Sequence, residues 1–451
     1  MSSKKSLRKS GKKLKKKVKK LKAQLQAMIA PPSAAPAGKK PLSVSPLAPA
    51  GGFPDLPVIE GVRFAAVSAG VRYAGRFDVM LAELAPGTSV AGVFTTSATR
   101  SASVLDCQAK LGKSSQGGAA ILVNSGNANA FTGGNGVAAV TAITTQVAAK
   151  LEIDEMRVFT ASTGVIGEPL PHDRITAKLD DLAAALSPGA IADAERAIMT
   201  TDTFPKGASA TVEIDGKTVN IAGIAKGSGM IAPDMATMLA YVFTDARVPP
   251  ARLQSMLTKA TDNSFNCITV DSDTSTSDSL MLAATGASGA EVGAPASTSG
   301  QAFQAALQKV MLDLAHQVVR DGEGATKFVE VQVTGAASVA DAKRAALAIG
   351  NSPLVKTAVA GQDPNWGRVV MAVGKSGARA DRDKMSIRFG DLLVAENGWR
   401  CDSYSEADGA AYMKAQELKI STDLGVGNAT ATIWTCDLTH AYIDINADYR
   451  S

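Results

Sequence analysis

Five short segments carry residue types that packing alone does not require. They are Asn124-Ser125-Gly126-Asn127-Ala128-Asn129-Ala130, Ser162-Thr163-Gly164-Val165-Ile166-Gly167, Lys226 through Leu239, Asp321-Gly322-Glu323-Gly324-Ala325-Thr326-Lys327, and Asn446-Ala447-Asp448-Tyr449-Arg450-Ser451. The third is the most informative. Its glycines lack the GxxxxGK[ST] order of a phosphate loop. Instead small residues and a proline lead into Thr237, with the apolar run Met238–Val242 behind it. A threonine opening a buried strand is an ordinary β-branched choice. If the chain is cut in front of it, however, Thr237 owns a free α-amine with a pKa of about 7.7–8.0. Such an amine can act as general base for the hydroxyl of its own residue. The 3 histidines (His172, His316, His440) are far apart, so no histidine constellation supplies another base, and no zinc-ligand spacing is present.

The other four segments each have two readings. Thr163-Gly164 follows an apolar run and can supply one hydroxyl and one unobstructed N–H, the donors of an oxyanion hole; it can equally be a plain turn. Asn124–Ala130 follows Ala119–Val123, either as a turn rich in residues that tolerate left-handed backbone or as a strand end that orients a ligand. Asp321-Gly322-Glu323-Gly324 reads as a helix stop, or as a carboxylate, Glu323, left open to a ligand amine by flanking glycines. The last segment is a tail of the kind that frays; held at a site, it would bring Asn446, Ser451 and the terminal carboxylate.

Mixed elements must position these segments. Apolar or alternating runs predict strands at 62–71, 77–84, 92–96, 119–123 and 157–161, and helical periodicity predicts helices at 136–151 and 173–186. Val212 to Val219, with Asp215-Gly216 at its centre, predicts a type I′ hairpin. Phe303, Leu307, Val310, Met311, Leu314 and Val318 trace one face of a long helix that stops at Asp321-Gly322, with a strand at 328–333 after it. The fold class is therefore α/β, or α+β with mixed layers, and no internal repeat is visible.

Composition narrows the function. The 451 residues are 45% hydrophobic and 20% charged, enough for two or three domains. The net charge of +5 misleads, because residues 1–22 hold 12 basic residues and no acid; without them 35 basic residues face 42 acidic ones, a balance of −7. A basic tail on an acidic body argues against nucleic acid as the main ligand, and only 5% of residues are aromatic. Contact with nucleic acid or a membrane surface is thus expected only through the tail. The tail is expected to be disordered or a basic helix, followed from Pro31 to Gly52 by a solvated Ala/Pro linker. Four isolated cysteines without a CxxC pair, and no signal peptide, predict a reducing, cytoplasmic setting. No apolar stretch approaches the 18 residues of a membrane span.

Taken in order, the five segments resemble the ornithine acetyltransferase / glutamate N-acetyltransferase family of arginine biosynthesis. Further matching runs are Thr200-Thr201-Asp202-Thr203, Phe265 to Asp271, Asp273 to Thr276 and Asp363 to Arg368. The likeness spans roughly residues 58–451 and leaves residues 1–50 outside. It implies a self-processing acetyltransferase with a fold of its own, similar in logic to N-terminal-nucleophile hydrolases. Cleavage would fall between Ala236 and Thr237, leaving the tail and linker (1–55) and the α-chain segment (56–236) on one side of the cut and the β-chain segment (237–451) on the other. Thr237 would then carry acetyl from N2-acetyl-L-ornithine to L-glutamate.

The resemblance further implies that Thr163 and Gly164 form the oxyanion hole and that Thr203, Lys226, Thr237, Glu323, Asn446 and Ser451 contact substrate. It implies no metal and no cofactor; some members also use acetyl-CoA, as a substrate. Two α and two β chains would assemble as a heterotetramer. The family often has Asn where this chain has Asp234 and Ser277. A competing reading is a related self-processing amidase or aminopeptidase, in which water deacylates Thr237.

Overall fold

The apolar runs that begin at Ala119 and Val158 lie side by side as parallel strands buried on both faces, which is why they read as continuous rather than alternating. The computed structural model describes residues 43–113, 117–232 and 238–447. Asp234, Ala236, Thr237, Ser451 and the basic tail lie outside the described residues.

Among the described residues, nine strands build two sheets: β1 (Val62–Val67), β2 (Val79–Leu84), β3 (Ser89–Phe94), β4 (Ala119–Asn127), β5 (Val158–Val165), β6 (Lys206–Ile214), β7 (Lys217–Lys226), β8 (Leu239–Thr244) and β9 (Ser279–Ala284). The first sheet has the order β1-β2-β4-β5 and the second β3-β9-β8-β7-β6. Phe64, Met80, Ile121 and Phe159 of the first meet Ile224, Tyr241, Phe243 and Met281 of the second in one buried cluster, so the sheets pack face to face. Across this layer the rings of Phe64 and Phe243 meet edge to face, with centroids 5.0 Å apart. Such a pair adds about 0.5–1.5 kcal/mol beyond the area it buries.

Seven helices of the described residues accompany these strands: α1 (Ala102–Lys110), α2 (Gly133–Leu151), α3 (His172–Thr176), α4 (Leu179–Ala185), α5 (Ile191–Ile198), α6 (Pro250–Asp262) and α7 (Thr298–Arg320). Ile143, Val147, Ile175 and Leu182 bring α2, α3 and α4 onto the outer face of the first sheet. Leu253, Leu257, Phe303, Val310 and Leu314 bring α6 and α7 onto the outer face of the second. The result is four layers, αββα, in agreement with the mixed-layer expectation. A third sheet is built from β10 (Phe328–Ala336), β11 (Ser386–Phe389), β12 (Leu392–Glu396), β13 (Trp399–Arg400), β14 (Glu417–Asp423) and β15 (Ala429–Cys436). Against it pack α8 (Val339–Gly350), α9 (Pro353–Ala360) and α10 (Trp366–Gly374), while α11 (Glu406–Tyr412) and α12 (His440–Asn446) follow the chain to its C-terminal end.

The hairpin forms as expected, with Ile214 paired to Lys217 and both Asp215 and Gly216 at positive φ. Three expectations need correction, and one open choice is decided. The first strand stops at Val67 rather than Val71, because the N–H groups of Ala69 and Val71 donate to the Asp78 carboxylate (2.6 and 2.7 Å) instead of to a neighbouring strand. The helix expected over 173–186 is two, α3 and α4, parted where the Lys178 N–H turns tightly back to the Ile175 carbonyl. The linker expected to be solvated through Gly52 is docked at its end: Leu47 is buried, and the Ser45 N–H donates to the Thr203 hydroxyl (2.9 Å). Finally, Asn124–Asn127 and Ser162–Val165 are not turns; they prolong β4 and β5.

Candidate active site

That prolongation is distorted, and the distortion builds one side of the site. The register of β4 against β5 slips between Gly126 and Asn127, a bulge of the kind that re-aims groups beside active sites. Opposite it, Gly164 has φ +131°, and a Cβ there would stand 2.3 Å from the Gly126 carbonyl carbon, so only glycine fits. The Ser162 hydroxyl donates to the Asn124 side-chain oxygen (2.7 Å), and the Asn124 amide donates to the Asn127 carbonyl (2.9 Å). Thr163 and Gly164 are therefore held on a rigid, buried strand end.

The other side is built on the second sheet, where β7 ends at Lys226, paired with Leu239 at the start of β8. Beside it lies a chain of buried charges. The Lys206 ammonium donates to Asp202 (2.7 Å) and to Asp321 (2.6 Å), and all three side chains are inaccessible to solvent. Burial opposes the Asp202 charge, but the Lys206 ammonium overrides it and holds the carboxyl at about 2. Asp202 and Asp321 in turn raise the Lys206 pKa despite its burial. Asp202 also accepts the N–H groups of Gly227 (2.6 Å) and Thr200 (2.9 Å), which fixes the backbone on both sides. Asp321 accepts both the N–H (2.9 Å) and the hydroxyl of Thr203.

Glu323 is the second acid of this region. Its N–H donates to the Ser228 carbonyl (2.9 Å), and the Asn446 amide donates to its carboxylate (2.6 Å). The Ser228 loop presses directly on it: a Cβ at Gly229 would fall 2.5 Å from the Glu323 carboxyl carbon. The hydroxyls of Thr201 and Ser228 are 2.7 Å apart. Burial raises the Glu323 pKa against the hydrogen bonds of Asn446 and Thr201. Asn446 is delivered by α12, which is seated through the Thr439 hydroxyl on the Gly324 carbonyl (2.7 Å) and the Tyr442 hydroxyl on Asp271 (3.3 Å). Asp271 also accepts the N–H groups of Met230 (2.6 Å) and Ile231 (2.8 Å), clamping the backbone just ahead of residues 233–237. Lys226 is buried, and that burial lowers its pKa against the pull of Asp202 and Asp278.

The structure thus gathers Thr203, Lys226, Glu323 and Asn446 from four parts of the chain. Thr163 and Gly164 end β5 in the first sheet, whose neighbouring segments are tied to residues 276 and 277: the Ser101 N–H donates to the Thr276 carbonyl (2.8 Å), and the Ser277 hydroxyl to the Ala128 carbonyl (3.5 Å). The Thr203 hydroxyl is committed to Asp321 and Ser45. Ala236, Thr237 and Ser451 lie outside the described residues. Asp202, Ser228, Asp271 and Asp321 lie in segments that the sequence marks but were given no role there, and Lys206 and Asp278 lie in none of those segments. The i,i+4 spacing of Asp202 and Lys206 was one available signal; an acid, Asp278, heading the wholly apolar core of β9 was another. Among the described residues, no group of three or more His, Cys, Asp or Glu is placed to hold a metal ion, and no helix is long and apolar enough to cross a membrane. A buried ammonium at one end and a buried carboxylate at the other suit a zwitterionic ligand, each through charge-assisted hydrogen bonds.

The model of the ArgJ family matches residues 63–451. The chain is 70% identical over 408 residues to the arginine biosynthesis bifunctional protein ArgJ of Ruegeria pomeroyi, covering 90% of this chain and 98% of that one. It is 56% identical over 413 residues to the protein of the same name from Gluconobacter oxydans, covering 91% and 96%. Among solved structures, the arginine biosynthesis bifunctional protein argJ of Bacillus halodurans matches with 43% identity and a TM-score of 0.44, covering 45% of this chain and 95% of that one. With a family match over most of its length and relatives this similar, the chain belongs to the ArgJ family.

Proposed function

We propose that this protein is a bifunctional acetyltransferase of arginine biosynthesis that moves the acetyl group of N2-acetyl-L-ornithine to L-glutamate through an acetyl-Thr237 intermediate. Ornithine leaves first, and N-acetylglutamate forms in the second half of a ping-pong cycle. The observation that carries the reading is the convergence of Lys226, Glu323 and Asn446 at the end of β7, beside the start of β8, in a chain that its relatives match across nine-tenths of its length.

Self-cleavage between Ala236 and Thr237 frees the threonine amine to act as base. Lys226 pairs with the substrate's α-carboxylate, Glu323 with an ammonium group, and Thr163 and Gly164 receive the oxyanion. Thr203 and Ser451 complete the substrate contacts. Acetyl-CoA, as a second donor for glutamate, enters as a substrate, and no cofactor takes part. The two halves of two chains assemble as a heterotetramer in the cytoplasm.

Intact mass measurement under denaturing conditions tests the core of this. Two fragments, one beginning at Thr237, are expected from the unaltered protein. Thr237→Ala is expected to leave one uncut chain that transfers no acetyl, because both steps use the same hydroxyl. A cleaved and active Thr237→Ala protein would sink the mechanism. Release of free acetate without glutamate acetylation would replace the transferase by an amidase.

A further inference from the structure

The chain ahead of β1 reaches the site. The Ser45 N–H donates to the Thr203 hydroxyl (2.9 Å), and the Ser45 hydroxyl donates to the Arg320 carbonyl at the end of α7 (2.6 Å). That hydroxyl also accepts the Leu47 N–H (3.2 Å), and the Ala48 N–H turns back to the Ser45 carbonyl (3.1 Å). Apolar contacts seat this strap. Leu47 is 6% exposed and joins the cluster that α6 and α7 share with the second sheet. Phe53 lies so close to β6 that a Cβ at Gly207, next to Lys206, would stand 2.7 Å from its ring.

The Thr203 hydroxyl has one proton to give and two lone pairs to receive with. The proton goes to Asp321, whose carboxylate accepts here because it also takes the Lys206 ammonium (2.6 Å). The Ser45 N–H fills one lone pair. What the half-buried Thr203 offers a ligand is therefore a single lone pair, which suits an N–H of the substrate. Ser45 thus gives the Thr203 side chain a second anchor and closes one of two directions from which a donor could approach.

We propose that Ser45 is a positioning residue for substrate binding that acts through Thr203: its N–H fixes the one lone pair that Thr203 turns to the amino-acid substrate. The inference rests on the reading that Thr203 contacts substrate. The docked strap, residues 45–56, is then part of the site rather than a linker ahead of it.

The test is a cycle of full-length variants read as KM, kcat and melting temperature. Ser45→Pro removes the N–H, and the backbone suits it because a residue before a proline, here Pro46, is already biased toward extended conformations. Ser45→Ala keeps the N–H and loses only the hydroxyl, so the difference between the two isolates the bond to Thr203. KM for both N-acetylornithine and glutamate should rise roughly 3- to 10-fold from Ser45→Ala to Ser45→Pro, the worth of one ordinary hydrogen bond, with kcat changed far less. Thr203→Val should raise KM on its own, and in that background the step from alanine to proline at position 45 should have no further effect. A strap that merely stabilises the fold would add its cost in both backgrounds, and that result overturns the proposal. So does a proline chain with the KM of the alanine chain, or a loss confined to kcat. Should Ser45→Pro fail to fold, Leu47→Ala loosens the same strap without touching Ser45 and is judged by the same rule. If Thr203→Val leaves KM unchanged, the substrate contact falls and the positioning with it; if Thr203→Val raises KM while the change at Ser45 does not, only the positioning falls.

Discussion

Two lysines, Lys206 and Lys226, stand one position out of register at the neighbouring ends of β6 and β7, since Lys206 pairs with Ala225. Both are buried, yet their electrostatic settings are opposite. Lys206 is clasped by two carboxylates at hydrogen-bonding distance and its pKa is raised. Lys226 feels Asp202 and Asp278 only from farther away among the described residues, and burial wins, lowering its pKa. Asp202 and Asp278 differ in the same sense, one held at about 2 and the other pushed far up. A buried ion that is fully paired holds elements together; one left short of partners is poised for a ligand or a proton. Here the paired set ties β6, the Asp202 loop and the end of α7 into a rigid wall, and the underpaired set lies at the end of β7 and the start of β9.

The strongest way to break this contrast is to remove the paired lysine. Lys206→Met leaves Asp202 and Asp321 buried side by side without a counter-charge, and deleting one partner of a buried pair typically costs about 3–5 kcal/mol. A large drop in melting temperature is expected, together with loss of activity through disordering of Gly227 and Thr203. A Lys206→Met protein as stable as the original at neutral pH would show that the clasp is not what holds these elements. The same pair has a pH signature. The Asp202 pKa is depressed, so its contribution is present above the ordinary carboxylate value of about 4 and is lost as pH falls toward about 2.

An effect of opposite sign is expected at Glu195, on the edge of the paired set. One of its oxygens accepts the Lys206 N–H (3.0 Å), while the other is buried without a partner. Burial raises its pKa to about 8, so below that pH it is neutral and leaves no stranded charge. An acid whose folded pKa is raised holds its proton more tightly when folded. Stability therefore falls as pH rises from the ordinary value of about 4.3 toward about 8, at up to about 1.4 kcal/mol per pH unit. Glu195→Gln removes that slope. The variant should match the unaltered protein below pH 4 and gain on it steadily up to pH 8 in thermal melts; a constant difference across that range would contradict the assignment.

How much of this was legible in the sequence depends on the range over which each signal acts. Periodicity acts locally, so the strands behind Ala119 and Val158, the Asp215-Gly216 hairpin and the apolar face of α7 could all be read. Short runs such as Thr163-Gly164 and Lys226 to Leu239 marked the site because their composition serves no core. The features missed were those settled by partners far along the chain. Asp78 ends β1 by capturing two N–H groups, and no pattern in residues 62–71 announces it. The Lys206–Asp321 pair joins residues 115 positions apart. The bulge at Gly126 exists because Gly164 has to pass close to it, a constraint invisible from either segment alone.

The finest test of the comparison is Lys226, where stability and binding should part company. Because the ammonium is desolvated without a close partner among the described residues, replacing it by methionine removes a desolvation cost while keeping the packing of the stem. The melting temperature of Lys226→Met should therefore stay close to that of the unaltered protein, in contrast to Lys206→Met. Its catalytic effect should appear in KM. A charge-assisted hydrogen bond to a carboxylate is worth about 1.5–3 kcal/mol, so KM for both amino-acid substrates should rise by roughly 10- to 100-fold with kcat changed far less, the pattern of lost uniform binding. If kcat falls instead and KM holds, Lys226 acts on the reacting atoms rather than on the carboxylate. If the protein simply unfolds, the two lysines are alike after all, and the division between a paired wall and an underpaired site does not hold.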